Sequence, residues 1–406
     1  MKISSMRKAD RWLGVPVCFV LSIARLLGAV FGRGPRQLQR ILFIKLAEQG
    51  STVLAAGAIR RAVELVGAEN VYFLVFQENR FILDVMELIP WENVYAIPSG
   101  SLFSTIGGAI SAVRAMRRAK IDTAIDLEFF ARSSAILCYL SGAGRRVGFH
   151  AFFGEASYRG DLMTHRLSFN GQLHASEVFR MMVDAATAPA EQLPTLDCLP
   201  MQDGVAPVFK ASAQEVNEVK ELLRQEAGGK ISRLILLNPN CSDLLPLRSW
   251  PADRYVELAK RLLAARSDLH VVFTGGPAEA AATQKLAMSV ASPRVISLAG
   301  KTTLRQLLVL YGLAEVIVTN DSGPAHFASM TPVDVVVLFG PEAPRLFAAR
   351  TPRNHVLWAG IACSPCVNAF NDRQTACRNN VCMQRITVEQ VVDEVKAACE
   401  SRLARD

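Results

Sequence analysis

Charge is scarce in this 406-residue chain: a fifth of its residues are Asp, Glu, Lys or Arg, while half are hydrophobic. A chain so apolar and so weakly charged does not remain disordered. An extended basic surface is also missing. The net charge of +8 would suit a nucleic-acid binder, but such a protein spreads its bases over a folded face, with aromatic side chains between them for stacking. Here nine bases (Lys2, Arg7, Lys8, Arg11, Arg25, Arg33, Arg36, Arg40, Lys45) stand against the single acid Asp10 in the first 45 residues, and the rest of the chain is balanced. No nucleic-acid partner is expected. The nine cysteines are odd in number and scattered, which does not describe a secreted disulfide scaffold. At about 150 residues per domain, the length allows two to three domains with large cores.

What the first 35 residues do contain is an apolar helix between bases. From Trp12 to Gly32 the one charge is Arg25. Trp12, Val15, Pro16, Phe19, Ile23, Leu26, Leu27 and Val30 fall on one stripe of a 3.6-residue period, and Arg11, Cys18, Ser22, Arg25 and Arg33 share the opposite face. Arg25 would cost roughly 2 to 3 kcal/mol inside hydrocarbon, and no small-x-small cleavage site follows cleanly. The expectation is an amphipathic helix lying on an anionic membrane surface, with a helix packed on the next domain as the alternative.

After Gly32-Arg33-Gly34-Pro35 the chain alternates short apolar runs with helical patterns. Strands are expected at 40–45, 71–76, 93–97, 123–126 and 147–149, with helices at 53–67 and 104–119. A second series has strands at 234–237, 270–273, 316–319 and 333–339, helices at 252–265 and 278–290, and a last helix at 387–403. Near-continuous apolar strands separated by helices imply an α/β fold with parallel sheets covered on both faces. The expected division is a membrane-associating helix over 1–35, a Rossmann-like domain over 36–205, a connection over 206–231, a second Rossmann-like domain over 232–386 and a helix over 387–406. Ligands of such doubly wound domains sit at the carboxyl ends of strands, here in a cleft between the two.

The chemistry concentrates at Val316-Ile317-Val318-Thr319-Asn320-Asp321-Ser322-Gly323-Pro324-Ala325-His326. A buried strand ends in a carboxylate, then Ser-Gly opens a helix whose first amides suit a diphosphate. This segment, with Leu338-Phe339-Gly340-Pro341 after another strand, resembles the signature of glycosyltransferase family 9, the ADP-heptose:lipopolysaccharide heptosyltransferases. Asn238-Pro239-Asn240, Arg248-Ser249-Trp250-Pro251, Thr274-Gly275-Gly276-Pro277-Ala278-Glu279 and Leu298-Ala299-Gly300-Lys301-Thr302-Thr303-Leu304 resemble further family elements in order, as do Ile125-Asp126-Leu127-Glu128 with Arg132-Ser133, and Arg145-Arg146-Val147-Gly148-Phe149. The resemblance implies a GT-B fold, with the acceptor on the N-terminal half and the nucleotide sugar on the C-terminal half. It puts Arg248 on the donor phosphates, Glu279 on ribose hydroxyls, Asp321 on sugar hydroxyls, the Ser322 and Gly323 amides on phosphate, and Lys301 and Thr302 along the base. Asn240, Gly276 and His326 complete the donor side.

One element departs from that pattern. The family's first loop reads Gly-Asp-Val, and its Asp is regarded as the general base; here the loop is Lys45-Leu46-Ala47-Glu48-Gln49-Gly50-Ser51-Thr52, so Ser51 stands at the Asp position. Serine without a partner is no base at neutral pH. Glu48, the nearest carboxylate of the same loop, is the expected base. Arg60, Asp126, Glu128 and Arg132 are the expected acceptor contacts, because Arg forks suit carboxylates and phosphates. Arg114, Arg117 and Arg118 read as a solvated helix face.

Cys363-Ser364-Pro365-Cys366, Cys377 and Cys382 have a spacing compatible with a tetrahedral structural zinc, with disulfides and free thiols as the alternatives. No catalytic cofactor is expected. The whole reads as an inverting, metal-independent glycosyltransferase, peripheral on the cytoplasmic face of a bacterial inner membrane, moving a heptose-like sugar from an ADP-sugar to a lipid-linked glycan. A transferase or epimerase using a UDP- or GDP-sugar and an inactive donor-binding scaffold are the alternatives.

Overall fold

A computed structural model describes residues 8, 10–29, 37–152, 154, 156–194, 206–241 and 245–405. Lys2, Arg7, Val30, the break at 32–35, Arg36 and Cys198 lie outside the described residues. The chain forms two compact units, one of residues 1–204 with 368–374, the other of residues 205–367 with 375–406.

The first unit contains β1 (Ile41–Ile44), β2 (Val71–Phe76), β3 (Val94–Ile97), β4 (Thr123–Asp126), β5 (Arg145–Phe149) and β6 (His165–Leu167). They form one sheet in the order β3-β2-β1-β4-β5-β6, every pair parallel. In the second unit β7 (Arg233–Asn238), β8 (Leu269–Phe273), β9 (Val295–Ser297), β10 (Val316–Asn320), β11 (Asp334–Phe339) and β12 (Asn354–Trp358) repeat the pattern as β12-β11-β10-β7-β8-β9, again all parallel. Both sheets are doubly wound, as expected. The central strands are fully buried, which is why they read as unbroken apolar runs. Strand order reverses between β1 and β4 in one sheet and between β7 and β10 in the other, and the crevice outside such a reversal is where ligands bind.

The leader helix, Gly14–Ala29, is docked on the protein along one face. Its polar face is the one that packs on the first unit. Cys18 belongs to that unit's core with Leu42, Ile44 and Met163. Ser22 Oγ accepts from the Asp161 amide at 2.8 Å, and Arg25 pairs with the Asp161 carboxylate. Close approach is made by Gly160, at φ +71°, where a Cβ would lie 2.7 Å from the Cys18 carbonyl. Ahead of the helix, Asp10 accepts from the Arg132 and Ser133 amides, at 3.2 and 2.7 Å, and caps the helix Arg132–Leu140. The apolar stripe faces outward: Trp12 is 78% exposed, Phe19 58% and Leu27 65%. Among the described residues no helix is long and apolar enough to cross a membrane.

In the second unit, His355 on β12 bridges Asp334 of β11 and Glu394 of the final helix, with 3.0 Å at each ring nitrogen. The hydrogen bond to Asp334 chiefly raises its pKa above 6.5. A group raised on folding contributes stability that is complete below its unfolded pKa and is lost as pH rises through the folded value. Tm should therefore fall from pH 6 upward, and His355→Gln should flatten this slope; parallel Tm-against-pH curves for the two proteins would reject that role.

Candidate functional site

The carboxyl end of β10 carries a buried charge cluster. Asp321 is 3% exposed, Glu342 3% and Arg248 8%. Burial raises the Asp321 carboxyl, opposed by Arg248. It raises Glu342 as well, with Asp321 adding to the shift and Arg248 opposing it. Two carboxyls and one guanidinium thus share one desolvated place, where burial favours the neutral carboxyl and the guanidinium the charged one. Glu342 is not among the site residues expected from sequence, although it is a carboxylate directly after the strand-end Gly340-Pro341.

The loops around this cluster are bracketed by Asn320. Its Oδ1 accepts from the Trp250 amide at 3.0 Å and the Tyr255 hydroxyl at 3.1 Å, and its Nδ2 donates to the carbonyls of Pro239 and Asn240 at 3.1 and 3.2 Å. Arg248 therefore leaves its short turn, Pro246–Arg248, next to a fixed Trp250. Asn240 donates to the Thr274 carbonyl at 3.0 Å. Gly275 is needed there, since a Cβ would lie 2.5 Å from Asn240 Nδ2. The Gly276 amide donates to Glu279 Oε2 at 2.7 Å, so Glu279 closes its own turn. Ser322 Oγ donates to the Asn320 carbonyl at 3.1 Å, Gly323 begins the short helix Gly323–Ala328, and His326 is buried within it. Lys301 is held elsewhere, donating to Glu226 at 2.6 Å, with Thr302 beside it half-buried.

In the first unit the ends of β1 and β4 meet in a second network. Lys45 is fully buried and donates to Glu128 Oε2 at 3.0 Å. Burial lowers its pKa, opposed by Glu128. Glu128 Oε1 accepts from the Ala47 amide at 3.0 Å. Glu48 sits in the left-handed region at φ +68°, a conformation that costs energy for a residue with a Cβ and clusters at functional sites. Its carboxylate accepts from Ser51 Oγ at 3.0 Å, lies 3.5 Å from Lys45 Nζ and pairs with Arg373. Arg373 belongs to the 368–374 segment of this unit and stands over the Phe129 ring at 5.8 Å. Asp126 is fully buried; burial raises its pKa, opposed chiefly by Arg159, with which it pairs, and Ser134 Oγ donates to it at 2.9 Å. Glu48, Ser51, Asp126 and Glu128 are thus brought together with Lys45, Arg159 and Arg373, three cations not singled out from sequence. Arg132 is engaged by Asp10 at 3.3 Å. Arg60 is half-buried on the helix Ala56–Val66.

Residues 110–376, well over half of the chain, match glycosyltransferase family 9 (heptosyltransferase). The chain belongs to this family. Among family 9 relatives, it is 26% identical over 172 residues to lipooligosaccharide heptosyltransferase 2 of Campylobacter jejuni, covering 40% of this chain and 51% of that protein. It is 34% identical over 102 residues to lipopolysaccharide heptosyltransferase 2 of Salmonella typhimurium, covering 24% and 29%. The chain thus spans about half of the first relative's length and less of the second's. The E. coli ADP-heptose LPS heptosyltransferase II structure matches with a TM-score of 0.68 at 20% identity, over 89% of this chain and 99% of that one. A family 9 glycosyltransferase from Veillonella parvula matches at 0.68 and 18% identity, over 91% and 100%. At these identities the likeness is one of fold.

The clustered cysteines of this family 9 member, Cys363, Cys366, Cys377 and Cys382, are present as thiols. Cys366, Cys377 and Cys363 lie near enough to Cys382 to add to the rise that burial imposes on its thiol. Yet among the described residues no three His, Cys, Asp or Glu side chains are grouped to hold a metal ion.

Proposed function

We propose that this family 9 member transfers a heptose or related sugar from an ADP-sugar to a lipid-linked glycan such as the lipopolysaccharide core, inverting the anomeric carbon without a catalytic metal. The observation that carries this reading is the buried Arg248 beside Asp321 and Glu342 at the β10 switch point. A guanidinium fixed in a dry site offers charge to a departing diphosphate without reorganisation. Asp321 takes sugar hydroxyls, the Ser322 and Gly323 amides take phosphate, and Glu279 with Asn240, Gly276 and His326 shapes the nucleoside side. Lys301 and Thr302 border the base after Lys301 leaves Glu226. On the acceptor side Glu48, hydrogen-bonded by Ser51, removes the hydroxyl proton, and Asp126, Glu128, Arg60 and Arg132 frame the acceptor.

The deciding measurement is a thermal-shift panel of ADP, UDP, GDP and their sugars. A ligand at 100 times its Kd adds about 2.7 kcal/mol, which is roughly 5 °C or more for a unit of this size. ADP and ADP-heptose should produce that shift; stabilisation by a UDP- or GDP-sugar alone would overturn the donor.

The protein is proposed to work peripherally on the cytoplasmic face of the inner membrane, resting on the exposed stripe of its leader. Deleting residues 1–33 should abolish sedimentation with anionic vesicles and leave the ADP shift unchanged, because the nucleotide residues lie in the other unit. Undiminished vesicle binding by the truncated protein would reject the leader as the membrane contact.

A further inference from the structure

The docked leader builds a groove of about 220 Å³ together with residues 150, 151 and 158–161 of its unit. Phe19, Ile23 and Leu26 line it from the helix, and Ala151, Tyr158 and Arg159 from the chain ahead of β6. It is a constructed feature, because the two segments that form it are locked by the Ser22 bond to the Asp161 amide, the Arg25–Asp161 pair and the tight Gly160–Cys18 approach. Outward, the groove continues into the exposed stripe, where Phe19, Ile23 and Leu26 are 58%, 44% and 58% exposed and Tyr158 is 45% exposed. Inward, it ends on Arg159. That guanidinium is 2% exposed, pairs with Asp126 and reaches the Glu128 carbonyl at 3.5 Å; Glu128 contacts Lys45, which faces Glu48.

A groove with an apolar mouth and an ionic inner end suits an amphiphile whose polar head lies at the β1/β4 switch point and whose tail points out along the leader. The surroundings favour a lipid over an apolar peptide. The one acid of the leader, Asp10, is spent on the amides of Arg132 and Ser133, while Lys8 and Arg11 beside it are exposed and can meet an anionic leaflet. We propose that this groove binds an acyl chain, the one carried by the lipid-linked acceptor. The acceptor's tail would then fix the direction from which its sugar approaches Glu48. This rests on the acceptor half of the proposed function.

The test uses the full chain and a single-chain lysophosphatidylglycerol below its micelle threshold, with glycerol phosphate as the headgroup control. Binding is followed by calorimetry for the native protein, Ala151→Trp, which fills the groove, and Ile23→Asp, which charges it. Both positions are at least partly exposed, and an unchanged ADP thermal shift checks that each variant is folded. The lysolipid should bind the native protein and glycerol phosphate should not, and each substitution should weaken lysolipid binding at least tenfold. With an acylated acceptor the same substitutions should raise KM severalfold with kcat little changed. Absence of lysolipid binding, or binding that ignores both substitutions, overturns the groove as an acyl site. Weakened lysolipid binding with an unchanged KM for the acylated acceptor overturns the acceptor as the source of the chain. Normal lysolipid binding with no sugar transfer to any lipid-linked acceptor would instead remove the proposed function and leave an acyl site in place.

Discussion

Replacing Arg248 with Gln should lower kcat by about 10²- to 10³-fold, the loss found when one fixed donor to a developing negative charge is removed. That is roughly 3 to 4 kcal/mol of transition-state stabilisation. On the proposed reaction the effect should fall on kcat more than on KM, because a diphosphate leaving group gains its charge as the sugar departs. Folding should survive. Asp321 and Glu342 already have raised pKa values through burial, so losing the guanidinium leads them to take up a proton rather than to remain as bare charges. Arg248→Lys should recover part of the rate, since the charge returns without the fork. EDTA should leave native turnover unchanged. A full rate for Arg248→Gln, or a rate abolished by EDTA, would move the charge stabilisation to another group.

Glu48→Gln should cost about 10²- to 10⁴-fold in kcat and remove the acidic limb of the pH profile, as loss of a general base does. The carboxylate is unusually well restrained, with a left-handed backbone and contacts to Ser51, Lys45 and Arg373. If Glu48 is the base, an acceptor hydroxyl has to displace one of those partners, and Ser51, which donates to Glu48, would serve to aim it; Ser51→Ala should then be much milder than Glu48→Gln. Unchanged turnover and pH dependence in Glu48→Gln would assign the base elsewhere.

The central strands were legible because burial on both faces leaves an uninterrupted apolar run; 71–76 and 123–126 are read residue for residue. β6, β9 and β12 were not. Each pairs on one side only or ends its sheet, and His165, Arg166, Ser297, Asn354 and His355 interrupt any apolar pattern in them. The expected helix at 53–67 proves to be two, Gln49–Leu54 and Ala56–Val66, because propensity does not record the turn at Ala55 or the left-handed Glu48. The leader's stripe was visible in its period, but the sequence pattern does not say which face docks. Cys18 and Ser22 are small enough to let the helix backbone approach Gly160, so the polar side goes inward. Glu342 and Arg373 were missed because their roles arise from contacts between distant positions, Arg373 and Glu48 being 325 residues apart.

Asn320 sets a limit on redesign. A side-chain amide has two donor hydrogens and an acceptor oxygen, and here the oxygen takes two donors while the nitrogen serves two carbonyls. Aspartate would turn two of those bonds into repulsions, and leucine would strand all four partners in a dry interior. An attempt to redesign the proposed donor site should therefore keep Asn320 and vary exposed positions such as Gly276, where the chain can change without releasing the loops that Asn320 holds.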